Sequence, residues 1–130
     1  MHKGSCLCGG LRYTLAHEPM NIELCHCSIC RKAHAAPFTA GASVDAAAFR
    51  ITQGHELAKY FESSPGKRRY FCSNCGTHVY ALRPAKPDVI RLRVATLDTP
   101  IASRPIAHIY SGSKAEWYTI EDTILQKEDA

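Results

Sequence analysis

Cys25-His26-Cys27-Ser28-Ile29-Cys30-Arg31-Lys32 sets three thiols within six residues. Three cysteines this close cannot all pair among themselves as disulfides, but all of them can face one metal ion. Zinc takes four protein ligands in a tetrahedron where its role is structural. It keeps three protein ligands and an open position where it does chemistry. The other cysteines flank the stretch as two pairs, Cys6-Leu7-Cys8 before it and Cys72-Ser73-Asn74-Cys75 after it. Seven is an odd count, and the spacings C-x-C, C-x-C-x2-C and C-x2-C read as metal ligands rather than a disulfide framework.

Two divisions of the seven thiols can be drawn. Joining Cys6 and Cys8 with Cys72 and Cys75 makes a four-thiolate structural site, closes a long loop, and leaves Cys25, Cys27 and Cys30 as a set of three. Joining Cys27 and Cys30 with Cys72 and Cys75 makes a zinc ribbon but strands Cys6, Cys8 and Cys25. Four plus three uses every thiol, so the first division is favoured. Gly9 and Gly76 directly follow the outer pairs, where the backbone must turn tightly around a metal.

The chain has 130 residues, 45% hydrophobic and 22% charged, the balance of an ordinary globule and the length of one domain, 1–130. Its apolar runs are a few residues long, against the roughly 20 that a membrane helix needs. No hydrophobic leader precedes Cys6, and the cysteine usage fits a reducing cytoplasm. The formal charge of +4 counts thiols as neutral. Seven thiolates subtract seven charges and two Zn²⁺ restore four, which leaves a formal +1. A nucleic-acid partner is therefore not expected, and Lys67-Arg68-Arg69 is read as a solvated hairpin edge.

Leu11, Tyr13 and Leu15 alternate with polar residues, as do Phe38 to Val44 and Ile90 to Val94. This period-two pattern is that of half-buried strands. Further short strands are expected at Val79–Ala81 and Ile106–Tyr110, while Ile22 to Leu24 leads into the cysteine cluster and Gly54 turns the chain between Phe49–Thr52 and Leu57–Phe61. Asp45 to Ala48 reads as one helical turn, and Ser63-Ser64-Pro65-Gly66 as a tight turn. Ser28 to Ala36 fits a short helix or turn with Ser28 as its cap. If helical, it sets Cys30 and His34 on one face and brings that imidazole toward the metal. Trp117, the single tryptophan, is expected to anchor the tail by burial. Many short strands with frequent turns make this an all-β chain.

Gly4-Ser5-Cys6-Leu7-Cys8-Gly9, the 25–32 cluster, Phe71-Cys72-Ser73-Asn74-Cys75-Gly76-Thr77, and His108-Ile109-Tyr110 with Lys114 and Trp117 carry a resemblance. In motif order, over about residues 4–125, the chain resembles the glutathione-dependent formaldehyde-activating family, which includes centromere protein V-like domains. The resemblance implies a β-tent of antiparallel sheets. It also implies two zinc ions per chain: one structural on Cys6, Cys8, Cys72 and Cys75, one reactive on Cys25, Cys27 and Cys30.

The implied activity is carbon–sulfur lyase chemistry on a small thiol and an aldehyde, with glutathione as co-substrate and S-hydroxymethylglutathione as the adduct. In that reaction Arg31, Lys32 or Lys114 would hold substrate carboxylates, and His34 or His108 would shuttle a proton. Two other readings stand beside it. One is a double-zinc binding module for protein or nucleic acid, its second site closed by a ligand such as His34. The other is a redox-sensitive zinc site that releases metal when its thiols oxidise.

Overall fold

A computed structural model describes residues 1–130. The alternating stretches form strands β1 (His2–Ser5), β2 (Arg12–Leu15), β3 (Ile22–Cys25), β4 (Thr39–Asp45), β5 (Phe49–Gln53) and β6 (Ala58–Ser64). They continue as β7 (Lys67–Cys72), β8 (His78–Leu82), β9 (Val89–Arg93), β10 (Pro105–Ile109) and the short β11 (Leu125–Gln126). The one α-helix is α1 (Ser28–His34). A three-stranded sheet runs β1-β2-β5, and an eight-stranded sheet runs β11-β10-β3-β4-β9-β8-β7-β6. Pairing is antiparallel except where β10 lies parallel to both β3 and β11. The all-β expectation holds.

Side chains of one strand face opposite sides alternately, and registered partners on neighbouring strands share a side. On one side of the large sheet, Val44, Ile90 and Leu92 meet Leu11, Tyr13 and Leu15 of the small sheet in the main core. At ~25 cal/mol per Å² of apolar area, each fully buried Leu or Ile contributes about 2 kcal/mol. Tyr13 reaches across the small sheet and bonds the Thr96 hydroxyl at 2.6 Å. Phe49, Tyr80, Tyr70 and Tyr60 continue from it as a ladder of ring contacts, 5.0, 5.0, 4.6 and 5.3 Å apart in succession from Tyr13.

The sequence pattern does not announce β1, because it carries little apolar alternation. Its strand geometry comes from pairing with β2, where Gly4 lies opposite Tyr13. A Cβ at Gly4 would fall 2.2 Å from Tyr13 Cζ, so only glycine fits under the ring.

The other side of the large sheet is the one α1 covers. The helix is capped by Cys27, not Ser28: Cys27 is extended and its Sγ accepts from the Cys30 N–H at 3.3 Å. The thiol therefore does the work expected of a serine cap. The helix ends at Ala35, held left-handed at φ 49°, a conformation that glycine adopts with least cost. Trp117 corrects the expectation placed on it. It is 69% exposed, and the tail is held instead by β11 and by backbone bonds such as Lys127 N–H to the His108 carbonyl at 2.8 Å.

Candidate metal centres and active site

Cys6, Cys8, Cys72 and Cys75 bring their sulfurs within 4.8 Å of one another. The Cys6–Cys8 and Cys8–Cys72 sulfur separations are 3.5 and 3.9 Å. A tetrahedral zinc with Zn–S near 2.3 Å places its sulfurs about 3.8 Å apart, so the four thiols fit such an ion. Backbone amides point at them: Gly10 N–H to Cys8 Sγ at 3.4 Å and Leu11 N–H to Cys6 Sγ at 3.3 Å. A hydrogen bond with the Thr77 hydroxyl, at 3.3 Å, helps hold the Cys75 thiol down at about 5. The set joins the β1–β2 turn to the β7–β8 turn and closes one end of the core.

Cys25, Cys27 and Cys30 form the second group, again with all sulfurs within 4.8 Å. No histidine, aspartate or glutamate joins it. The division into four and three is the one favoured from spacing. Cys25 ends β3, Cys27 caps α1 and Cys30 sits one turn in, so strand end and helix start converge on one point. Cys25 and Cys30 are buried and Cys27 is half-buried. The Cys30 thiol is pushed down by its hydrogen bond to Cys25 and by the Arg69 guanidinium, while Cys25 is pushed up. One sulfur of the group is thus prepared as a thiolate, the form that binds metal.

Arg69 corrects the reading of Lys67-Arg68-Arg69 as a solvated edge. It is only 2% exposed, its Nη2 donates to Cys30 Sγ at 3.4 Å, and its Nε donates to Ser63 Oγ at 2.8 Å. Lys67 and Arg68 are half-buried, and the Arg68 guanidinium lies 4.5 Å from the Tyr60 ring centre. A bulge explains part of the assembly. Tyr70 pairs with Tyr80 and Phe71 with His78, which leaves Val79 as the extra residue of β8. The bulge reverses the alternation and turns His78 to the side that Phe71 and Arg69 occupy, a common use of bulges beside functional sites.

His34 takes a different place from the one expected. It packs against His78 with ring centres 4.5 Å apart and planes tilted by 46°, and it stands outside the thiol group. Burial, aided by Arg93, pushes its imidazole down to about 3, so it is neutral. His108 is wholly buried. Its Nδ1 meets His26 Nε2 at 2.8 Å and its Nε2 meets the Asp122 carboxylate at 3.0 Å. Asp122, His108 and His26 thus form a chain from the surface to the residue between Cys25 and Cys27. Sequence reasoning assigned no role to His26 or Asp122. The only signal for His26 was its position between two ligands.

The three cations expected to hold substrate carboxylates differ in freedom. Arg31 Nε donates to the His26 carbonyl at 3.3 Å. Lys114 Nζ donates to the carbonyls of Ala115 and Tyr118 at 3.1 and 2.6 Å. Lys32 is exposed and lines a cleft of about 620 Å³ beside the three thiols, with Ile29, Phe61, Arg69, Phe71 and His78. No helix is long and apolar enough to cross a membrane.

Comparison with known proteins agrees with these features. The chain is 29% identical over 128 residues to a Halomonas elongata protein provisionally named a glutathione-dependent formaldehyde-activating enzyme, covering 92% of this chain and 80% of that one. It is 32% identical over 79 residues to an uncharacterized lyase of Schizosaccharomyces pombe, covering 61% and 56% of the two chains. A crystal structure of a Rhodobacter sphaeroides protein shares the fold, with TM-score 0.63 and 23% identity over 77% of this chain and 91% of that one. The sequence model for glutathione-dependent formaldehyde-activating enzymes matches residues 1–113. With the motif order and the four-plus-three grouping of its thiols, the chain belongs to the glutathione-dependent formaldehyde-activating enzyme family.

Proposed function

We propose that the chain is a zinc-dependent carbon–sulfur lyase that reversibly joins a small thiol, of the glutathione type, to an aldehyde of the formaldehyde type. The observation that carries this reading is the three-thiol group with no fourth ligand from the chain, joined through Arg69 to a cleft of substrate size that Arg69 also lines. Zinc held by Cys25, Cys27 and Cys30 supplies an open position for Lewis-acid or thiolate chemistry. The structural zinc belongs on Cys6, Cys8, Cys72 and Cys75, where it clips the sheets.

The chain's own residues set the surroundings. Three thiolates around one divalent ion leave a formal surplus of one negative charge, and Arg69 offsets it at Cys30. Ile29, Phe61 and Phe71 give the cleft apolar walls. Lys32 stands at the mouth with its ammonium free for a substrate carboxylate. In the joining direction a carbon–sulfur bond forms, the carbonyl π bond opens, and the thiol proton ends on the carbonyl oxygen. The chain Asp122–His108–His26, running from the surface to the residue between Cys25 and Cys27, would hold the proton that moves to that oxygen. A reducing compartment such as the cytoplasm would keep the seven thiols available.

The binding-module reading called for a fourth ligand such as His34, and the His34 ring lies against His78 instead. Exchange NMR of glutathione with formaldehyde, with and without zinc-loaded protein, tests the proposal. Acceleration that disappears in Cys30→Ala is expected. Acceleration of no thiol–aldehyde pair, glyoxylate with cysteamine included, at any protein concentration would end the enzymatic reading.

A further inference from the structure

Beside the three thiols lies a concentration of positive charge that the metal site does not use up. Lys67 and Arg69 stand two apart on β7, and Arg91 and Arg93 two apart on β9. Arg69 pairs with Ala81 of β8, and Ala81 with Arg91, so these side chains leave the same face of the sheet. Gly41 of β4 completes the floor: a Cβ there would fall 2.8 Å from Arg91 Nε and 3.3 Å from Arg93 Nη1. Arg91 is satisfied by Glu23 at 3.1 Å. Lys67, Arg69 and Arg93 have no carboxylate within 4.0 Å.

Two of these cations keep donors in reserve. Arg69 and Arg93 are 2% and 5% exposed, yet Arg69 Nη1 and Arg93 Nη2 are buried without a hydrogen-bond partner. His34 Nε2 is buried and unpartnered as well. A buried guanidinium with idle N–H groups is costly unless an anion meets it. Burial first, and then the neighbouring Arg69, push Arg93 down to about 10, and Lys67 is lowered by burial and then by both arginines. The thiolate–zinc group offers one formal negative charge against these three positive ones. The missing charge has to come from outside.

We propose that Arg69 and Arg93, assisted by Lys67, form an anion subsite that takes a carboxylate bonded directly to the reacting carbonyl carbon, so that the aldehyde partner is a 2-oxo acid. This inference rests on the thiol–aldehyde reading above and narrows it. Arg69 bridges the two regions, with Nη2 on Cys30 Sγ and Nη1 free. An oxygen accepting from Nη1 lies roughly 5 to 7 Å from the Cys30 sulfur. A carboxylate on the carbon next to a metal-proximal carbonyl reaches that distance. Formaldehyde has no such group and leaves both guanidiniums unmet. In the reaction the thiol sulfur bonds to the aldehyde carbon of the oxo acid, the thiol proton moves to the former carbonyl oxygen, and the carboxylate is unchanged, so no oxidant or reductant is needed.

The first test is calorimetric titration of the zinc-loaded protein with glycolate and with uncharged glycolamide. Saturable glycolate binding, weaker in Arg93→Gln by on the order of tenfold at unchanged zinc content, is expected for loss of a charged hydrogen bond. Glycolamide should not bind. Should Arg93→Gln fail to fold, Lys67→Met serves in its place, and glycolate binding left unchanged in the variant that folds overturns the subsite. Equal binding of the two compounds, or none of either, overturns the subsite.

The second test compares two reacting pairs by exchange NMR: glyoxylate with cysteamine, which has no carboxylate, and formaldehyde with glutathione. Greater acceleration of the glyoxylate pair, lost in Arg93→Gln, supports the assignment. Acceleration of the formaldehyde pair alone overturns it and leaves the general reading intact. Glycolate binding with neither pair accelerated supports the anion subsite and removes the lyase reading.

Discussion

Arg69 Nη2 donates to Cys30 Sγ at 3.4 Å from one of the most deeply buried arginine side chains of the protein, 2% exposed. This contact favours the Cys30 thiolate, so it couples the β6–β7 hairpin to the three-thiol group. Arg69→Met should lower the affinity of that group for zinc by on the order of tenfold or more, the range of one charged hydrogen bond. Arg69→Lys should recover part of it. Zinc release to a graded chelator gives the numbers, with the four-thiol site as internal control. Equal loss from both sites would show that the variant had disturbed the fold instead.

The two thiol groups should respond oppositely to deletion. Cys72 is fully buried between the sheets and ties β7 to the Cys6–Cys8 turn. A structural zinc of this kind is worth roughly 10 kcal/mol or more, comparable to the whole stability of a small domain. Cys72→Ser should therefore abolish cooperative thermal unfolding. Cys30→Ala should keep the fold and lower zinc content from two per chain to one. Circular dichroism with metal analysis distinguishes the cases, and unfolding of Cys30→Ala would refute the division of labour.

His108 and Asp122 should separate in the same way. Removing the His108 ring opens a cavity and leaves His26 Nε2 without its 2.8 Å partner. Together these should cost about 3 kcal/mol. Asp122→Asn changes an exposed side chain and should cost under ~1 kcal/mol. Urea midpoints measure both. If Asp122→Asn slows adduct exchange at unchanged stability and zinc content, the chain positions a proton; unchanged exchange would make it structural only.

Ala35 occupies the left-handed position that ends α1, at φ 49°. A non-glycine residue pays about 1–2 kcal/mol there, and glycine gives back part of the gain through its more mobile unfolded state. Ala35→Gly should raise stability by about 0.5–1 kcal/mol, read from the thermal midpoint. A lower midpoint would mean that the Ala35 methyl packs better than its backbone suffers.

Tyr13 supplies the pH dependence. Burial raises its phenol to about 12, above the ordinary value near 10. The folded state therefore favours the neutral form. That contribution is complete below pH ~10, where both states are neutral, and is lost as pH rises toward about 12. The loss should be on the order of 2 kcal/mol. Urea midpoints across that window should fall in the wild type and fall less in Tyr13→Phe. Parallel decline in both proteins would assign the loss to other groups, Tyr80 first among them, which burial also raises to about 12.

The two thiol groups were legible in the sequence because the spacing within each pair or cluster is local. C-x-C and C-x2-C each place two sulfurs around one ion with a single turn of backbone, and an odd count of seven left one division that used every thiol. The strands were legible because period-two alternation is the direct imprint of a sheet with one apolar face. Local composition could not reveal β1, whose strand exists only because Gly4 leaves room for Tyr13. It could not show that Trp117 stays in solvent.

Nor could it tell a solvated basic run from a buried one. Whether Lys67-Arg68-Arg69 faces water depends on which strands and which helix lie against β7. Arg93 and Arg69 are 24 positions apart in the chain, and they share a face only through the order β7-β8-β9. The meeting of Asp122, His108 and His26 likewise waits on β10 lying beside β3 and on the tail folding back. The sequence by itself determined which atoms could hold metal and that the chain would form sheets. Tertiary structure alone decided which charges surround that metal, because a side chain's electrostatic neighbours are set by strand order and register rather than by its neighbours in sequence.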